Sequence, residues 1–161
     1  VERSRGLGDV YKRQLLLFSL RCVNGAGMII AEEVSVDGPG FYDLTNRVEK
    51  AVNRTELLDG LVTLFIRHTS ASLIIQENAD PAVQVDLQNW MNRLAPENDG
   101  AYTHNQEGID DMPAHIKSVI TATSVSIPVL NGSLALGVWQ GIFLWEHRYR
   151  SSVREVLIHL A

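Results

Sequence analysis

The sequence predicts an α+β fold: one compact domain in which a mainly antiparallel mixed sheet carries two or three packed helices. Three observations lead there. Strand-like and helix-like segments run in blocks (strand, helix, two strands, two helices, then three or four strands) and do not alternate one for one, which disfavours a doubly wound parallel sheet. The pair Asn131-Gly132 sits between two apolar runs and tolerates the positive φ of a type I′ hairpin turn. Residues 28–161 are 134 residues, within the usual size of one domain with its own core.

The elements follow in order. MIIAEEVSV reads as a strand and DGPG as a turn. YDLTNRVEKAV reads as a helix capped by Asp43 or Thr45, because Leu44, Val48, Ala51 and Val52 recur at helical spacing. LVTLFIRHTSASLIIQEN is rich in Val, Ile, Thr and Phe and reads as two strands or one long bent strand. DPAVQVDLQNWMNRL begins with a strong helix start. Asp80 caps, Pro81 has no N–H to leave unpaired, and Val83, Leu87, Trp90, Met91 and Leu94 form an apolar stripe expected to face the core. PENDGAYTHNQEGID is a long polar loop, and DMPAHIKSVIT repeats the cap logic at Asp111, so that His115 and Lys117 ride on a short helix. The remaining segments form the hairpin, and VREVLIHLA is a final strand.

Residues 1–27 are set apart. DVYKRQ resembles the transposon-end adapter of sequencing libraries, and LLLFSL is shorter than the ~7–15 residues of a signal-peptide core. Residues 1–27 are therefore expected to be a non-native leader, with the domain spanning 28–161. The leader holds five basic and two acidic residues of the totals 14 and 19, so residues 28–161 carry nine against seventeen, a net charge of −8. That balance disfavours nucleic acid, since phosphate neutralisation needs a basic face. No segment reaches the ~20 apolar residues of a membrane helix. The single Cys, Cys22, lies in the leader, so disulfides and thiolate metal sites are excluded from the domain and a cytoplasmic location is expected.

Three groups can carry chemistry. In RHTSAS an extended strand puts His68, Ser70 and Ser72 on one face. A Ser/His nucleophile is a weak reading there, because residues two apart on a strand are too widely spaced for a ~2.6–3.2 Å hydrogen bond. The alternative is a half-buried hydrogen-bonded row. In HNQEGIDDMPAH, His104, Glu107, Asp110, Asp111 and His115 offer imidazoles and carboxylates suited to Zn²⁺, Mn²⁺ or Mg²⁺, although Asp111 also fits a simple helix cap. In WQGIFLWEHR, Trp139, Gly141, Phe143, Trp145 and His147 share one strand face, and Gly141 leaves a gap for a flat ligand. Gln140, Glu146 and Arg148 share the other face, where Arg148 grips a phosphate or pairs with Glu146.

Together, HTSASLIIQENADP, YTHNQEGIDDMPAHIK and IPVLNGSLALGVWQGIFLWEHR resemble the YjbQ-like family, also named the secondary thiamine-phosphate synthase family, from about Met28 to Ala161. One departure is Ile109, where the family pattern has Pro. The resemblance implies a homotrimer of compact α+β subunits and a reaction coupling a hydroxymethylpyrimidine diphosphate to a thiazole phosphate, with release of diphosphate. The alternatives are a metal-dependent hydrolase of a small phosphorylated metabolite and a non-catalytic metabolite-binding trimer. On residue chemistry and resemblance together, His104 and His115 are expected to hold a divalent metal (Mg, Mn or Zn), with Asp111 or His147 as third ligand. His68, Asp110, Glu146 and Arg148 are assigned catalytic roles, with His68 in acid–base or phosphate contact and Arg148 against the leaving diphosphate. Ser70, Asn78, Trp139 and Gln140 are assigned to substrate binding, and His159 to packing or surface.

Overall fold

The computed structural model describes residues 21–23 and 27–161. Its strands are β1 (Arg21–Val23), β2 (Gly27–Val36), β3 (Gly40–Asp43), β4 (Gly60–Ile66), β5 (Ala71–Glu77), β6 (Ser124–Leu130), β7 (Ser133–Leu134), β8 (Gln140–Glu146) and β9 (Ser152–Leu160). Its helices are α1 (Thr45–Thr55), α2 (Pro81–Leu94) and α3 (Asp111–Ile120). Most of the segment read as a leader, residues 1–20 and 24–26, lies outside the described residues, while Arg21–Val23 pair with Gly27–Ile29 at a sheet edge. The α+β class holds. The strands nevertheless divide into two sheets: a six-stranded one ordered β1-β2-β9-β4-β6-β7 and a three-stranded one ordered β3-β8-β5, with antiparallel neighbours throughout.

Period-two burial builds the core. Val62, Leu64 and Ile66 of β4, Val156, Ile158 and Leu160 of β9, and Ile127 and Val129 of β6 are buried on one face of the larger sheet. Leu73, Ile142 and Leu144 join the same cluster from the smaller sheet, and Val48, Ala51 and Val52 join it from α1. The two sheets thus share one core. Asn131 and Gly132 take φ of 49° and 76°, the left-handed pair that closes the β6–β7 hairpin.

One open reading is resolved and one expectation changes. LVTLFIRHTSASLIIQEN is two strands that belong to different sheets, because the chain leaves strand geometry after Ile66 and resumes it at Ala71. The stripe on α2 is also not a core stripe: Met91 is buried, whereas Trp90 and Leu94 are half exposed. The cap at Asp80 forms as expected, with its carboxylate accepting from the Ala82 N–H at 2.9 Å. A polar contact takes part of that face. The buried Trp145 indole needs an acceptor, and Gln88 Oε1 supplies it at 2.8 Å, so a polar residue of α2 faces the sheet. Phe41 stacks on Trp145 with centroids 4.5 Å apart.

Ile158 lies on the central strand β9, paired with β2 and β4, and is 1% exposed. Ile158→Ala should lower unfolding free energy in urea by roughly 2–5 kcal/mol. Val119→Ala, at an 83% exposed position, should stay within about 0.5 kcal/mol.

Candidate functional site

The last residue of β8 organises the site. Glu146 is fully buried, and a carboxylate in that position must be matched by donors. It accepts from Arg154 Nε at 2.6 Å and Arg154 Nη2 at 3.1 Å, and from the backbone N–H groups of His147 and Arg148 at 3.1 and 2.9 Å. The expected Glu146–Arg148 side-chain pair does not form, because Arg154 of β9 takes its place. Arg154 was legible as a signal: it shares the inward parity of the apolar Val156, Ile158 and Leu160, and a charge there requires a partner.

Arg154 reaches on to His68, with Nη1 donating to His68 Nε2 at 2.9 Å and to Ser152 Oγ at 3.0 Å. On the other side of the ring, Nδ1 accepts from the Ser70 backbone N–H at 3.1 Å and lies 3.1 Å from Ser70 Oγ, so donors face both ring nitrogens. Burial first, and then the Arg154 charge, lower the His68 pKa. His68 and Ser70 lie in the loop between β4 and β5 and not on one strand, which is why they touch where strand spacing forbade it. Ser70 is buried and both ring nitrogens are engaged, so neither side chain is free as a nucleophile or base in this arrangement.

Glu146 also turns the chain so that Arg148 points the other way. Its Nε donates to Asp110 Oδ2 at 2.9 Å, its Nη1 to Asp111 Oδ1, and its Nη2 to the Glu107 carbonyl at 2.8 Å. Asp110 Oδ2 accepts from the Tyr149 N–H as well, at 2.8 Å. Burial would raise the Asp110 pKa, but the Tyr149 N–H and Arg148 bonds outweigh it and hold the carboxyl below its ordinary value. Asp111 is therefore no helix cap. It is the first residue of α3, almost fully buried, and its side chain faces His104 and His115.

His115 stands one turn beyond Asp111 on the same helical face. Its Nδ1 lies 3.0 Å from the Thr69 carbonyl, which can only accept, so Nδ1 carries a proton and Nε2 faces Asp111 Oδ1 at 3.7 Å. His104, from the polar loop, brings Nε2 to 2.6 Å from Asp111 Oδ2, yet Oδ2 has no hydrogen-bond partner. One nitrogen or oxygen from each of His104, Asp111 and His115 lies within 4.8 Å of the others. Beside this cluster is an open cleft of about 880 Å³, lined by His68, Asp110, Arg148, Arg150 and Arg154 among others.

Other assigned residues stand elsewhere. His147 is outside the cluster of ligand atoms: its Nε2 meets Ser72 Oγ at 2.8 Å, inside the core, and its Nδ1 has no partner. In the register of β5 with β8, Ala71 faces Glu146 at one end and Glu77 faces Gln140 at the other, roughly 20 Å away. Asn78, Trp139 and Gln140 therefore lie at the far end of the smaller sheet from His68 and Arg148. There the Asn78 N–H donates to the Trp139 carbonyl, and Gln140 Oε1 accepts from the Gly137 N–H. The gap at Gly141 is closed, since a β-carbon there would meet the Phe143 ring at 2.9 Å. Lys117, buried and bonded to Asn92 Oδ1 at 2.8 Å, was not singled out for chemistry, because a lysine on an amphipathic helix carries no burial signal of its own.

Burial, and then the Lys117 charge, lower the His147 pKa to about 3. The unfolded ring binds a proton near its ordinary value of about 6.5 while the folded ring does not, so unfolding takes up protons between these limits. The stability that this group contributes should be complete above pH ~6.5 and be lost as pH falls towards 3. Urea unfolding across that range should show the slope reduced in His147→Gln relative to the parent.

Comparison with known proteins places this geometry. The family profile described as UPF0047 protein YjbQ-like matches residues 32–161. A UPF0047 protein of Synechocystis sp. is 49% identical over 128 residues, 80% of this chain and 87% of that one. UPF0047 protein YjbQ of Salmonella typhimurium is 42% identical over 75% of this chain and 88% of its own length. A crystal structure from Clostridium acetobutylicum, described as an uncharacterized conserved protein of the yjbq/upf0047 family, superposes with a TM-score of 0.76 at 35% identity, covering 82% of this chain and 99% of that one. None of these names carries a synthase, and the thiamine-phosphate synthase expected from the resemblance is corrected accordingly. The geometry agrees with the correction: Arg148 is held by Asp110 and Asp111, and no aromatic slot opens at Gly141. Fold, motifs and relatives converge on one assignment: the chain belongs to the YjbQ-like UPF0047 family.

Proposed function

We propose that the chain binds a divalent metal ion through His104, Asp111 and His115, and that a small phosphorylated metabolite reaches the ion from the neighbouring cleft. One observation carries this reading. A buried carboxylate oxygen, Asp111 Oδ2, lies 2.6 Å from an imidazole nitrogen without a hydrogen bond, while His115 Nε2 faces the same carboxylate. Lone pairs directed at one another repel unless a proton or a cation stands between them. The Thr69 carbonyl orients His115 in the way that a hydrogen-bonded backbone partner orients a ligating imidazole. Three protein ligands leave coordination positions open, and an ion held there polarises an oxygen of a bound anion as a Lewis acid. Elemental analysis after dialysis should find about one equivalent of metal per chain, lost in His104→Ala and His115→Ala with the circular dichroism spectrum unchanged, and retained in His159→Ala. Equal metal content in all four proteins would overturn the assignment.

Self-association as a homotrimer belongs to the same proposal. Trp90 and Leu94 on α2 and Val138 and Trp139 before β8 leave large apolar side chains exposed, surface that association would cover. Static light scattering at micromolar concentration should give three times the chain mass; a monomer mass would exclude the assembly.

A further inference from the structure

The cluster contains more carboxylate than it offers to an ion. Asp110 and Asp111 are adjacent and both buried, but Arg148 bonds Asp110 Oδ2 through Nε and Asp111 Oδ1 through Nη1. Asp110 Oδ2 also accepts from the Tyr149 N–H, and its Oδ1 packs against Gly108, where φ is +120° and a β-carbon would meet that oxygen at 2.8 Å. Glu107 contributes its carbonyl to Arg148. The donors left facing one another are two imidazole nitrogens and one carboxylate oxygen.

Resting on the metal reading above, we infer that Arg148 is the residue that determines which cation the site accepts. It does so by withholding oxygens: Mg²⁺ and Ca²⁺ need six or more oxygen ligands, supplied largely by carboxylates, carbonyls and water. Imidazole donors suit Zn²⁺ and its neighbours, for which a two-nitrogen, one-oxygen set with open positions is sufficient. Charge acts in the same direction. Two carboxylates and one guanidinium leave a net −1 beside the ion, so a hard cation bound mainly by Coulomb attraction gains less than one bound through nitrogen lone pairs. Arg148 is in this sense a positioning residue that touches the ligand and not the ion.

The test is equilibrium dialysis of the parent, Arg148→Gln and Arg148→Lys against Zn²⁺ and Mg²⁺, separately and in competition. In the parent, Zn²⁺ should bind stoichiometrically and millimolar Mg²⁺ should not displace it. In Arg148→Gln the freed oxygens should raise Mg²⁺ affinity more than Zn²⁺ affinity, lowering the Zn²⁺/Mg²⁺ ratio by about tenfold or more. Arg148→Lys keeps the charge but cannot bridge both carboxylates, and should give an intermediate ratio even if the Gln variant is poorly folded. An unchanged ratio in the folded variants, or parent protein that binds Mg²⁺ as well as Zn²⁺, overturns the role of Arg148 and leaves the metal site standing. Absence of any bound ion in the parent overturns both.

Discussion

Much of the site depends on one buried ion pair, that between Glu146 and Arg154. A carboxylate with no solvent contact at the end of a central strand would be heavily penalised if unpaired, and removing one member of such a pair commonly costs about 3–5 kcal/mol. Here the two forks meet, and the carboxylate has acceptor capacity left for two backbone N–H groups. Those backbone bonds bend the chain out of β8 at His147. The bend sends Arg148 towards α3, while the far side of the Arg154 guanidinium reaches the β4–β5 loop. One carboxylate thus ties together three segments that are distant in sequence.

The same interaction explains why the two arginines beside the site do not behave alike. Arg154 is held inside the protein, and its contact with His68 leaves both nitrogens of that ring occupied. Arg148 is turned outward but is matched by two carboxylates and a carbonyl. Each shapes a neighbouring imidazole or carboxylate. An anion entering the cleft would meet Arg150, exposed and without an ion pair among the described residues, more readily than either of these.

The fold was legible where a single periodicity decided it. The alternation in β4 and β9, the Asp80-Pro81 helix start and the Asn131-Gly132 turn each express a local rule that the packed structure has no reason to override. The division into two sheets was not legible, because strand alternation reports which face is buried and not which sheet the strand joins. The stripe on α2 misled for a related reason. Apolar spacing identified a face but could not reveal that Trp145 would demand an amide acceptor from Gln88. In the site, His104, Asp111 and His115 were found by residue type and proximity in sequence. Asn78, Trp139 and Gln140 were grouped with them by motif, although strand register places them at the other end of the sheet. Arg154 was missed because only catalytic residue types within the motifs were weighed, and an inward charge on a strand outside them was not.

Asp111 shows why a helix start can be mistaken for a site and the reverse. A carboxylate at the first turn of a helix is stabilised by the free N–H groups there, so capping is the economical reading of the sequence. A cap must remain close to those N–H groups, however, and neither Asp110 nor Asp111 makes a side-chain bond to them; both turn towards Arg148. The turn needs a guanidinium delivered from another strand, which in turn needs the bend that Glu146 imposes. Burial then removes water as an alternative partner for Asp111 Oδ2, and the helix brings His115 to its other oxygen at one-turn spacing. The convergence of His104, Asp111 and His115 is thus a product of the core ion pair as much as of the loop and helix that carry them.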